Sequence, residues 1–161
     1  MFRNMFRNKL RNTISRRDVF AVLPAFAATG AFAFAEAHSG SKPEMGSDVF
    51  DWNAIPVHPK PYGSARPFFS APTATLENLE LHVTTLNPGQ QPHAPHRHPN
   101  EEMLIVREGA VEALSNGTWK PAGPGSVIFN ASNQLHGVRN RGTVPAVYHV
   151  INWKTAATPK A

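Results

Sequence analysis

The feature that most limits the fold is a series of short strand-like runs in the second half of the chain, each ended by turn residues. No stretch keeps the 3.6-residue period of a helix without a Pro or Gly interruption. The pair Asn116-Gly117 is the strongest short signal for a two-residue hairpin. Strands are predicted at residues 76–86, 102–106, 110–114, 118–120, 126–130, 137–140 and 144–153. This spacing predicts an all-β antiparallel barrel or jelly roll.

The stretch before these runs, residues 38–75, is rich in proline. Because proline has no amide hydrogen to donate to a sheet ladder, the sequence predicts a wrapping arm with at most short edge strands. Its apolar residues are too numerous for a free linker. We expect them to pin the arm to the body or to a second subunit: Phe50, Trp52, Ile55, Phe68 and Phe69.

The positive charge of the chain is concentrated in its first 37 residues. These carry six Lys and Arg against two acidic residues, so most of the formal net charge of +5 lies there. The remaining body is near neutral and lacks the basic patch of a nucleic-acid-binding protein, so no nucleic-acid partner is expected. The chain has no cysteine, which excludes disulfides and thiolate metal sites.

Residues 1–37 have the layout of a signal peptide. A basic stretch ends at Arg17, an apolar run covers 19–35, and Ala-x-Ala cleavage sites lie at 33–35 and 35–37. Residues 15–20, Ser-Arg-Arg-Asp-Val-Phe, resemble the bacterial twin-arginine (Tat) signal. The resemblance implies a folded protein exported to the periplasm or secreted, with no stable membrane insertion after cleavage. An uncleaved membrane anchor and a simple basic tail are the alternatives.

Histidines are concentrated just ahead of the second predicted strand. His93, His96 and His98 lie within six residues, and Glu101 and Glu102 follow directly. Because side chains alternate along a strand, His96, His98 and Glu102 are expected on one face if the strand is regular. Imidazole and carboxylate groups are suitable ligands for Fe, Mn, Ni, Cu or Zn.

The spacing around these residues resembles the first motif of a single-domain cupin, of the type-2 conserved barrel family. That motif contains Gly, then His-x-His, then Glu and a second Gly. Here these are Gly89, the tripeptide 96–98, Glu102 and Gly109. The spacer from Gly89 to His96 is one residue longer than the common one.

A second cupin-like motif follows at the expected distance. Gly125 is followed after five residues by the tripeptide 131–133, then by His136 and Asn140. Ala131 and Asn133 replace the usual Pro and Gly, and asparagine is the next-best residue for a left-handed turn. The resemblance covers residues 76–153.

The resemblance implies a double-stranded β-helix, an antiparallel jelly-roll barrel, over residues 76–155, with a proline-rich arm at 38–75 and a signal peptide at 1–37. It also implies one divalent metal ion, of unknown identity among Fe, Mn, Ni, Zn and Cu. The expected metal ligands are His96, His98, Glu102 and His136.

Few other residues are candidates for chemistry. Glu101, His93 and Tyr148 are the local groups able to move a proton. Arg97 is expected to be a solvated charge, and Asn140 to secure a turn. The remaining histidines and aromatic residues are interpreted as ordinary strand, loop or core residues: His58, His82, His149, Phe129 and Trp153.

Two functions fit these features. The first is an exported metalloenzyme of dioxygenase or isomerase/lyase type acting on an oxygen-rich small molecule. The second is a non-catalytic module that binds a small molecule or sugar in the periplasm, because a fold alone does not determine function. Cupins are commonly dimers, so a homodimer is expected by the same resemblance.

Overall fold

The computed structural model describes residues 42–160, so the predicted signal peptide lies outside the described residues. Within this range no helix is long and apolar enough to cross a membrane. A 3₁₀ turn, Trp52–Ala54, precedes nine strands: β1 (His58–Lys60), β2 (Gly63–Ala71), β3 (Asn78–Leu86), β4 (Glu101–Glu108), β5 (Val111–Ser115), β6 (Thr118–Ala122), β7 (Val127–Asn130), β8 (Gly137–Arg139) and β9 (Ala146–Lys154).

The strands form two antiparallel sheets. The larger has the order β1-β2-β3-β9-β4-β7 and the smaller has the order β6-β5-β8. One apolar core joins them, because its residues come from both sheets: Leu86, Leu104, Val106, Ile128, Ala146, Tyr148 and Val150 from the larger, and Val111, Ala113, Ala122 and Val138 from the smaller. The predicted jelly-roll barrel is confirmed.

The seven strands predicted from residue 76 onward are all present, as β3 to β9, with ends shifted by a few residues. The turn residues explain this agreement. Asn116 and Gly117 both have positive φ, 51° and 76°, as a tight hairpin between β5 and β6 requires. Asn133 has φ 57°, which confirms that it takes the left-handed turn position expected in the second motif.

The arm differs from the prediction. Strand β2 is nine residues long and lies between β1 and β3, so the expectation of short edge strands only is wrong. Pro67 has no backbone N–H to donate to the ladder, but this does not prevent the pairing of β2 with β3. The register shifts between Pro67 and Phe69, so the irregularity stays local to this bulge.

The aromatic residues of the arm contact the same chain. The Phe50 and Phe69 rings lie 4.9 Å apart, and Trp52 lies 6.0 Å from Phe68. The guanidinium groups of Arg66 and Arg107 lie 4.3 and 4.6 Å from the Trp52 ring centroid. Because Arg107 belongs to β4, these contacts confirm that the arm is pinned to the body.

Candidate metal centre

The histidine-rich segment is a loop rather than a strand. Prolines at 92, 95 and 99 interrupt the ladder ahead of β4, and only an isolated bridge forms, between His96 and His136. In it, each backbone N–H donates to the other residue's carbonyl at 3.0 Å. The expectation that His96 and His98 share the face of a regular strand is therefore wrong. The bridge, not strand alternation, places His96 beside His136.

Three histidines meet at this bridge. His96, His98 and His136 each offer a ring nitrogen, and these atoms all lie within 4.8 Å of one another. The His98 and His136 ring centroids are 4.6 Å apart, and those of His96 and His136 are 4.5 Å apart. This group can hold a metal ion, which bears out the metal-binding prediction in its general form.

Two of the rings are oriented by backbone carbonyls. His98 Nδ1 lies 3.0 Å from the Asn100 carbonyl oxygen, and His136 Nδ1 lies 2.8 Å from that of Gln134. An Nδ1–H that donates to a carbonyl leaves the Nε2 lone pair free, and this is how metal-binding histidines are commonly held.

The unpartnered atoms of the cluster fit a cation. His136 Nε2 and His96 Nδ1 are buried and have no hydrogen-bond partner among residues 42–160. Burial lowers the pKa of His96, and the neighbouring His93, His136 and His98 lower it further. A neutral imidazole is the form that coordinates a metal, so the residues present suit a divalent ion.

Glu102 lies next to the histidines on the inner face of β4. Its carboxylate oxygens are 3.8 Å from His98 Nε2 and 3.8 Å from His136 Nε2. The Asn130 amide donates to Glu102 Oε1 at 2.9 Å, which orients the carboxylate. The structure therefore brings together all four residues named as ligands, with the carboxylate placed against two of the three imidazoles.

The groups expected to move protons lie in different places. His93 is exposed, and its ring centroid is 4.1 Å from that of His96. Glu101 is on the opposite face of β4 from Glu102, where it accepts a hydrogen bond from the Trp153 indole at 3.0 Å. It lines a separate surface cavity with Pro99 and Ser132, away from the cluster.

Tyr148 is the third such group, and it is 2 % exposed in the core. Burial strongly raises its pKa, while a hydrogen bond with Thr84 acts in the opposite direction. The phenol therefore stays protonated at neutral pH, so it can donate a hydrogen bond but is a poor base.

Tyr148 lines a cavity of about 140 Å³ that reaches the cluster. His93, Glu102 and His136 line the same cavity. Other wall residues were not predicted as site residues: Tyr62, His82, Thr84, Pro92, Leu104, Asn130, Gly137, Val138 and Val150. The alternation of β3 could have indicated His82 and Thr84, since both share the face of the core residue Leu86. No pattern in the sequence indicated Tyr62.

Arg97 and Asn140, which were expected outside the chemistry, do lie outside it, whereas the same expectation for His82 is wrong because His82 lines the cavity. Arg97 is exposed and donates to the Asn133 carbonyl at 2.7 Å. Asn140 secures a turn through its side chain. Phe129 is 51 % exposed rather than in the core, and it stacks on Trp153.

Residues 82–152 match the family model described as "Cupin domain" (Cupin_2). This segment is a cupin domain. It contains all four proposed ligands together with strands β4 to β8, so the cluster belongs to the cupin domain. No curated protein matches the chain.

Solved structures share this cupin fold at low identity. An RmlC-like cupin from Shewanella frigidimarina has TM-score 0.56 and 15 % identity, covering 69 % of this chain and 95 % of that one. A predicted oxalate decarboxylase from Thermotoga maritima has TM-score 0.54 and 17 % identity, with coverages of 66 % and 99 %. The polyketide cyclase RemF from Streptomyces resistomycificus has TM-score 0.55 and 18 % identity, with coverages of 72 % and 89 %. These likenesses concern the fold.

Proposed function

We propose that this chain is an exported metalloenzyme, of dioxygenase or isomerase/lyase type, that acts on an oxygen-rich small molecule. His96, His98, His136 and Glu102 would hold one divalent ion. The observation that carries the proposal is the convergence of three imidazoles and a carboxylate, two of which, His136 and Glu102, line a cavity. Two buried ring nitrogens of this cluster lack partners among the described residues. A divalent ion bound there supplies Lewis-acid or, for iron, redox chemistry.

The protein groups around the cavity orient the proposed ligands, donate a hydrogen bond and transfer a proton. Asn130 orients Glu102, and the backbone carbonyls of Asn100 and Gln134 orient two imidazoles. Tyr148 donates a hydrogen bond to a bound oxygen atom. His93 is the group we assign to proton transfer, since it lines the cavity and is exposed to solvent for proton exchange.

Elemental analysis of the full chain tests the metal site. The chain, folded in the cytoplasm and purified without a histidine tag, should contain about one divalent ion per molecule. The double variant His96→Ala/Glu102→Ala should contain almost none. A matched double variant, His58→Ala/Glu44→Ala, removes the same residue types at exposed positions and should keep the ion. A folded wild-type chain that takes up no metal would overturn the proposal.

Export is proposed from residues 1–37 alone, through the twin-arginine-like sequence at 15–20. Replacement of the pair by Arg16→Lys/Arg17→Lys should retain the protein in the cytoplasm, because this pathway reads the arginine pair. Cell fractionation measures the result. Wild-type protein found only in the cytoplasm of a host with an active pathway would contradict export.

A homodimer is also proposed, through the outer face of the larger sheet. Adjacent strands place a continuous apolar row across this face: Phe129, Met103, Ile151, Leu81 and Phe69. Phe129 and its neighbour Val127, on the end strand β7, are 51 % and 60 % exposed. An apolar face of this kind is typical of a protein contact.

A further inference from the structure

The geometry points to a ligand with no more than one negative charge for this cavity, and to Tyr62 as the residue that selects it. The inference rests on the proposed metal site and adds the substrate class to it. The ligand would turn an oxygen atom toward the metal-binding cluster and its carbon atoms toward the apolar wall.

The first argument is the absence of strong cations from the cavity wall. Among residues 42–160, neither Lys nor Arg lines it. Four arginines are held elsewhere by their own partners: Arg66 by the Trp52 and Ile55 carbonyls, Arg97 by the Asn133 carbonyl, Arg107 by Glu108, and Arg139 by Glu112. A phosphate or dicarboxylate would therefore meet no guanidinium fork, which is the usual partner of such groups.

The second argument is charge balance. A divalent ion with three neutral imidazoles and the Glu102 carboxylate carries one net positive charge. One carboxylate from a ligand neutralises it. A second negative charge would lie beside the Glu102 carboxylate and the buried side chains of Leu104 and Val150, and no Lys or Arg among residues 42–160 lines the cavity to pair with it. An unpaired buried charge is strongly unfavourable.

The third argument is size and polarity. The cavity volume of about 140 Å³ is well below the ~300–1,000 Å³ of pockets for drug-sized ligands. Leu104, Val138 and Val150 are buried and form an apolar part of the wall. Such a space suits a ligand of a few heavy atoms, with oxygen atoms on the side of the metal-binding cluster and carbon atoms against Leu104, Val138 and Val150.

Tyr62 supplies a polar group to the wall of the same cavity. It lies in the connection between β1 and β2, packs against the core cluster and is half-buried. Its carbonyl accepts a hydrogen bond from the Asn87 N–H at 2.9 Å, which ties it to the loop that leads to the histidines. Burial raises the pKa of the phenol, so Tyr62 stays protonated and donates to a ligand oxygen rather than repelling it.

The test uses the full chain loaded with Co(II), whose visible spectrum reports a change of ligand at the ion. Acetate, malonate and inorganic phosphate are titrated at equal ionic strength, and bound cobalt is measured separately. Acetate should bind at least about tenfold more tightly than either multiply charged anion.

Tyr62→Phe removes only the hydroxyl and should weaken acetate binding about 3- to 10-fold, with the cobalt content unchanged. Trp52→Phe changes an arm aromatic residue outside the cavity and should bind acetate as wild type does.

The outcomes separate the two proposals. A chain that binds no cobalt refutes the metal site, and this inference with it. A cobalt-loaded chain that binds phosphate or malonate as tightly as acetate, or that gives no response to acetate, refutes the charge preference alone. Unchanged acetate binding in Tyr62→Phe refutes the role of Tyr62.

Discussion

Replacement of His136 by glutamine is expected to weaken metal binding by at least about 100-fold while the chain stays folded. Residues that only orient a metal ligand typically contribute about 10- to 100-fold to affinity, and a ligand itself should exceed this. His136 is 3 % exposed, its Nδ1 is held by the Gln134 carbonyl, and its unpartnered Nε2 faces Glu102. Glutamine keeps much of the side-chain length but removes the imidazole nitrogen.

Thermal unfolding at several metal concentrations measures this loss together with folding. At free metal of 100 times the wild-type Kd, the ion should stabilise the wild type by about 2.7 kcal/mol. A variant with a 100-fold higher Kd should gain only about 0.4 kcal/mol under the same conditions. Without metal the two chains should differ little, because the His96–His136 bridge is made by the backbone.

His149→Gln is the matched control. His149 lies on β9 opposite Ile105, on the face of the sheet away from the cavity. Burial and the charge of Arg107 lower its pKa, so it too is a partly buried imidazole. It should bind metal as wild type does. Equal metal affinity in the His136 variant and the wild type would show that His136 is not a ligand.

The barrel could be predicted from the sequence because its signals are local. Turn residues such as Asn116-Gly117 and Asn133 require particular backbone angles, and the strands lie between them. The same reasoning fails for β2, because a high proline content predicts only short edge strands, whereas β2 is nine residues long and lies between β1 and β3. A local sequence pattern does not show that a β-bulge will form at Pro67 and let the strand continue past it.

The part of the site that could be predicted also depends on a local signal, the spacing of residues along the chain. Spacing selected four residues as proposed ligands, and the structure brings these four together, although the expected strand alternation is not what brings His96 to His136. A long-range backbone bridge does so, and such a bridge has no local signal. Tyr62 was missed because it reaches the cavity from the arm, through a contact that depends on the tertiary structure. Glu101, beside Glu102 in sequence, faces the other side of the sheet.

Asn140→Ala should have the largest effect on stability, about 3 kcal/mol, although Asn140 does not contact the metal cluster. Asn140 is 0 % exposed. Its amide donates to the Leu86 and Val144 carbonyls at 2.9 and 2.8 Å, and its Oδ1 accepts from the Gly142 N–H at 2.8 Å. Alanine would leave these backbone groups without their partner, and one unsatisfied buried group alone costs about 1–3 kcal/mol.

Chemical denaturation of wild type and variant, both without metal, measures the difference in the free energy of unfolding. Asn87→Ala is the control, because Asn87 is exposed and, among residues 42–160, its hydrogen bonds involve only its backbone. It should lie within about 0.5 kcal/mol of wild type. A similarly small change in Asn140→Ala would contradict the structural role.

The backbone of Asn140 connects this turn to the metal centre. Its carbonyl accepts from the Gly89 N–H and its N–H donates to the Gln90 carbonyl, both at 2.9 Å, at the start of the loop that carries His96 and His98. We therefore expect folded Asn140→Ala to bind metal more weakly than wild type, by less than His136→Gln does. The four proposed ligands would all be present, but the segment that positions two of them would be less firmly held.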